Sequence, residues 1–157
     1  MPITTEELKA AREAWGNGKV AISKAFEDGG IDAAREVAGA HLDAVYGHAL
    51  GPVLFKPTMA SGDQTFRTTK AGALAYFCGH SEEYPLDGGF AIQGWRSMES
   101  VTSAEFIEGD VAMWMGWIML TDKNGNVTKV DKSFGYKKDA DGVLRIVLHH
   151  SSLPYQP

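Results

Sequence analysis

The apolar residues of this chain change their spacing once along its length. In the first part they recur at helical intervals. Leu8, Ala11, Trp15, Ile22 and Phe26 fall close to one stripe, and Ala34, Val37, Ala38, Leu42 and Val45 form another. Thr4 or Thr5 can cap the first helix, with Glu6 and Glu7 in its first turn, where the helix dipole favours anions. Gly16 and Gly18 weaken its middle, and Glu27-Asp28-Gly29-Gly30 stops it. A second helix is predicted from about Ile31 to Tyr46. Val53-Leu54-Phe55-Lys56-Pro57-Thr58 reads as a short extended stretch, and Thr68-Thr69-Lys70 opens a third helix that runs through Cys78.

After Pro85 the pattern reads as strands: Ala91 to Ser97, Glu99 to Ile107, Asp110 to Leu120, Val127 to Tyr136 and Val143 to Ser152. The separators carry hairpin chemistry, with Asn124-Gly125 and Asp141-Gly142 offering the positive φ that tight turns need. Helices followed by a run of antiparallel strands predict one α+β domain over residues 1–157, its N-terminal helices packed on a curved antiparallel sheet. The segment Val111 to Leu120 is apolar on both faces, so it is expected at the centre of the sheet and covered on both sides. Its Met and Trp residues read as core or as a dimer face, and a homodimer is expected.

The last strand carries the candidate chemistry. Leu144-Arg145-Ile146-Val147-Leu148 passes without a turn into His149-His150-Ser151-Ser152. In a regular strand His149 and Ser151 share one face about 7 Å apart, and His150 and Ser152 share the other. Four polar side chains at the end of a core strand need hydrogen-bond partners or a wet pocket. Arg145, on the His149 side by simple alternation, could attract an anion but is expected to pair with a strand neighbour such as Asp131.

Composition narrows the partners. The 157 residues are 44% hydrophobic and 22% charged, as in ordinary globular proteins, and the net charge of -5 gives no general attraction to nucleic acid or to an anionic membrane. The single cysteine, Cys78, lies in the apolar run Leu74 to Cys78 and reads as a small buried hydrophobe. The polar, acidic N-terminus is unlike a secretory signal, and the longest apolar run is too short to span a bilayer, so a cytoplasmic protein is expected.

Several motifs in order carry a family resemblance: Phe55-Lys56-Pro57-Thr58, Gln64-Thr65-Phe66-Arg67-Thr68-Thr69, Gly72-Ala73-Leu74-Ala75-Tyr76-Phe77, Phe134-Gly135-Tyr136, and the last strand through Leu153-Pro154-Tyr155. Together they resemble the iota-class carbonic anhydrases. That domain is related in fold to the association domain of calcium/calmodulin-dependent kinase II and to the NTF2-like proteins. The resemblance covers about Pro52 to Tyr155, and it implies a cone-shaped NTF2-like fold and reversible hydration of carbon dioxide to bicarbonate. In the cyanobacterial and algal branch it implies catalysis without a metal or other cofactor, with bicarbonate held by a threonine, a tyrosine, a histidine and a serine. The matching positions here are Thr58, Tyr76, His149 and Ser151. Some relatives use manganese or zinc, so the resemblance leaves metal dependence open.

The residues themselves give no positive sign of a metal cage. The five histidines are His41, His48, His80, His149 and His150. The adjacent pair faces apart on a strand, and His41 and His48 lie two turns apart on the second helix. Metal-free hydration needs a positioned water, a base, and donors for the bicarbonate oxygens. His149, with an ordinary pKa of about 6.5, suits the base or proton relay; Ser151, Thr58 and Tyr76 suit the water and the oxygens. Taken singly, Thr58 after a proline reads as a turn cap and Tyr76 as a core residue. Two other readings remain: an NTF2-like isomerase or dehydratase for a larger organic substrate, which needs a cavity of several hundred Å3, and a non-enzymatic assembly module.

Overall fold

A computed structural model describes residues 2–157. Helix α1, Thr5–Val45, begins with a capping box: the Thr4 hydroxyl accepts from the Glu7 N–H, and the Glu7 carboxylate accepts from the Thr4 N–H. It is broken at Gly30, whose φ of 80° no helix contains, so the two helices expected from the sequence are two arms of one element. Gly18 lets the arms meet, because a Cβ there would lie 2.1 Å from the His41 ring. Strand β1 (Leu54–Lys56) and helix α2 (Lys70–Cys78) follow, the latter capped by the Thr69 hydroxyl.

The remaining strands are β2 (Trp95–Glu108), β3 (Val111–Asp122), β4 (Val127–Lys138) and β5 (Leu144–Ser152). Residues 90–92 form a 3-10 turn, and one long β2 with two register shifts replaces the two strands expected between Ala91 and Ile107. The sheet order is β1-β5-β4-β3-β2. Its hairpins are antiparallel, and β1 adds a parallel edge pairing, with Phe55 opposite His149 and Lys56 opposite His150. At the last two hairpin tips Gly125 and Gly142 take positive φ, while Asn124 and Asp141 do not.

One face of the sheet packs on α1 and α2 around Trp15, Leu42, Phe55, Phe77, Trp114, Ile118, Phe134 and Tyr136. Cys78 is buried in this core, which pushes its thiol up to about 11. β3 is an interior strand, but β4 and not β3 stands at the centre of the sheet, and only one face of β3 is covered. Ala112, Trp114, Gly116, Ile118 and Leu120 are buried, whereas Met113 and Met115 are each about half exposed. An apolar sequence on both faces therefore does not guarantee two protein layers within one chain.

Candidate active site

The site is built by the register of β5. An extra residue, Val147, sits between the pairs Tyr136–Ile146 and Gly135–Leu148, and this bulge changes the phase of the strand. Ile146, His149 and Ser151 are consequently all buried, although strict alternation would separate 146 from 149. Arg145 is thereby removed from the His149 side. It pairs with Asp139 and donates to the carbonyls of Asp43 and Ala44 at the end of α1, in place of the expected Asp131. Asp131 accepts instead from the Ser152 hydroxyl, and His150 is exposed.

His149 is clamped between the rings of Phe55 and Phe134, at centroid distances of 4.5 and 4.7 Å. Both of its nitrogens are engaged: Nδ1 lies 2.9 Å from the Tyr46 hydroxyl, which accepts from the Trp15 indole, and Nε2 lies 2.8 Å from Lys132 Nζ. Burial, with Lys132 and Lys19 nearby, drives its pKa well below the ordinary value, so the imidazole is neutral. Lys132 faces Ser151 directly across the β4–β5 ladder, and its Nζ lies 3.0 Å from Ser151 Oγ. Ser151 Oγ is in turn 2.5 Å from Thr58 Oγ1, and Lys56 Nζ donates to the Ser151 carbonyl.

Thr58 and Tyr76 open onto a cavity of about 540 Å3, together with Asp87, Phe90, Trp95 and Thr128. The Tyr76 hydroxyl accepts from the Met59 N–H and lies against the Thr58 side chain; burial pushes its pKa up to about 12, so it stays a donor. Phe90 stacks on the Tyr76 ring. Arg67 holds Asp87 at the rim through two bonds of 2.7 and 2.8 Å, both side chains buried. Among the described residues, no three His, Cys, Asp or Glu side chains converge as a metal site requires. The fold thus brings Thr58 and Tyr76 to the cavity, sets the buried Ser151 one hydrogen bond behind Thr58, and sets His149 deeper still.

Lys132, Tyr46 and Trp15 were not singled out by sequence. A signal existed for Lys132: it occupies the same phase of β4 as the buried Val130 and Phe134, where a lone lysine needs an explanation. Nothing comparable marked Tyr46, which continues the apolar stripe of α1.

The family is settled by comparison. A family profile for metal-independent carbonic anhydrases matches residues 6–153. The chain belongs to the metal-independent carbonic anhydrases. It is 49% identical over 154 residues to the metal-independent carbonic anhydrase of Nostoc sp. (strain PCC 7120), covering 98% of this chain and 75% of that protein. The crystal structure of an iota-carbonic anhydrase from a cyanobacterium, complexed with bicarbonate, superposes with a TM-score of 0.97 at 49% identity, over 99% of this chain and 95% of that one. A calcium/calmodulin-dependent kinase II association domain from Thiobacillus denitrificans shares the fold at a TM-score of 0.51 and 20% identity, covering 87% of this chain and 94% of that one. Cavity volume, the discriminator suggested by the sequence, does not separate the readings, because the opening exceeds what bicarbonate needs. Family membership does.

Proposed function

We propose that this carbonic anhydrase hydrates carbon dioxide at the cluster of Thr58, Tyr76 and Ser151, without a metal, and that His149 works behind them. The observation that carries this reading is the cluster of three hydroxyl groups at one end of the cavity, Thr58 and Tyr76 lining it and Ser151 bonded to Thr58 from behind. Thr58 and Ser151 orient the attacking water and then donate to the bicarbonate oxygens, and Tyr76 donates to the charge developing on carbon dioxide. The water oxygen bonds to carbon, a carbon–oxygen π pair moves onto oxygen, and a proton leaves the water. His149, expected from the sequence as base or relay, has both nitrogens already bonded and is connected to the water only by way of Lys132 and Ser151.

The test is stopped-flow hydration with a pH indicator on chelator-treated protein. Hydration well above buffer that added zinc or manganese does not raise is expected. Activity that appears only with added metal would overturn the metal-free scheme.

The same proposal makes the chain a homodimer through the uncovered face of β2, β3 and β4, where Val101, Phe106, Met113 and Met115 are each about half or more exposed. Sedimentation should give twice the monomer mass, and Met115→Lys should halve it. A cytoplasmic location belongs to the proposal as well, and cell fractionation tests it. No helix among the described residues is long and apolar enough to cross a membrane.

A further inference from the structure

The structure contains a buried cation with no anion. Lys132 is 3% exposed and bonds two neutral partners, His149 Nε2 at 2.8 Å and Ser151 Oγ at 3.0 Å. Its Nζ also lies 4.7 Å from the Trp15 ring and 6.0 Å from that of Phe90, which lines the cavity. A buried ammonium without a carboxylate is costly, and a lysine escapes that cost by releasing its proton. The charged groups around it do not reverse this. Asp131, the next residue on β4, favours the charged form; Lys56 on β1 opposes it; and Lys19 on α1 shares the same interior. Tyr46 at the end of α1 and Tyr76 on α2 are both held neutral by burial. The resulting pKa of Lys132 is lowered to about 7, which suits a base working near neutral pH.

We propose that Lys132 is the acceptor of the proton released in hydration, received through the Ser151 hydroxyl, and that the ammonium so formed holds the bicarbonate. This rests on the carbonic anhydrase reading above. As an amine, Nζ accepts from Ser151 while donating to His149; as an ammonium it donates to both. The step balances. One O–H bond of water breaks as its oxygen bonds to carbon, Thr58 takes that proton while passing its own to Ser151, Ser151 passes its own to Nζ, and the products are bicarbonate and a lysine ammonium. The far end of the chain is closed, because Tyr46 accepts from the Trp15 indole, a group that only donates. The proton therefore returns through Ser151 and Thr58 to water in the cavity as bicarbonate departs. This gives His149 a definite part as a positioning residue that aims Nζ at Ser151.

The experiment is the pH profile of hydration kcat/KM, with the bicarbonate inhibition constant, for chelated wild type, Lys132→Met and Lys132→Arg, each checked for folding by circular dichroism. Wild-type kcat/KM should rise through a midpoint at about pH 7, and bicarbonate should inhibit more strongly below that midpoint. Lys132→Met should lose about 100- to 10,000-fold in kcat/KM together with the midpoint. Lys132→Arg should bind bicarbonate with no dependence on that midpoint and stay inactive. A folded Lys132→Met within twofold of an active wild type, with the same midpoint, would overturn the assignment of Lys132 alone. Wild type that hydrates nothing would overturn the activity on which it rests.

Discussion

Lys19 and Lys132 are both buried lysines whose side-chain nitrogen lies 2.8 Å from the Nε2 of a buried histidine, His41 and His149 respectively. Burial lowers the pKa of all four groups, so the same physics disfavours the charged form in each pair. Their surroundings differ. Lys19 lies over the rings of Phe77 and Trp15, 4.1 and 4.4 Å from their centroids, and His41 is its only hydrogen-bond partner among the described residues. Lys132 has Ser151 as a second partner and, through Thr58, a path to the cavity. A shifted pKa is therefore common to core and site, and connection to the cavity is what separates the pair that can exchange protons with substrate from the pair that packs two helical arms together.

Breaking the connection should have the largest effect. Ser151→Ala removes both a donor to the oxygens and the link to Lys132, and hydration kcat should fall about 100- to 1,000-fold in stopped flow. Gly18→Ala attacks the sealed pair by forcing a Cβ into the His41 ring; chemical denaturation should show a loss of about 1–3 kcal/mol, with kcat per folded molecule unchanged. Tyr46→Phe leaves the Trp15 indole and His149 Nδ1 without their shared partner, so a loss of about 1–2 kcal/mol is expected, with a modest fall in kcat.

The pH dependence of stability sharpens the comparison further. In the unfolded chain each lysine stays protonated up to about pH 10, whereas in the fold Lys132 has lost its proton above about pH 7 and burial pushes Lys19 down as well. The unfolded state binds more protons in that window, so stability should rise from pH 7 to pH 9.5, and calorimetry on Lys132→Met and Lys19→Met should each show a smaller rise. Ser152→Ala, on the other side of the strand, loses only its part-buried bond to Asp131 and should change stability by about 1 kcal/mol and activity not at all.

Much of this site was legible in the sequence. The alternation of β5 put His149 and Ser151 on one buried side, and the family resemblance singled out Thr58 and Tyr76, which the fold then brings to the cavity. The bulge at Val147 was not legible, because no glycine or proline marks it and the partner strand dictates it; Arg145 was misplaced for that reason. Lys132 escaped because a lysine in a strand is ordinarily solvated, and only its phase relative to Val130 and Phe134 betrays it. The uncovered side of β3 escaped because an apolar segment reads the same whether its second face meets another layer of the chain or another molecule.

The most direct test is stopped-flow hydration at pH 8 on chelated wild type beside Lys132→Met and Lys19→Met. Replacing a buried lysine by methionine keeps shape and removes a desolvation cost, so both variants should fold. The account predicts an active wild type, Lys19→Met close to it, and Lys132→Met lower by two orders of magnitude or more. Equal activity in the two variants would contradict it.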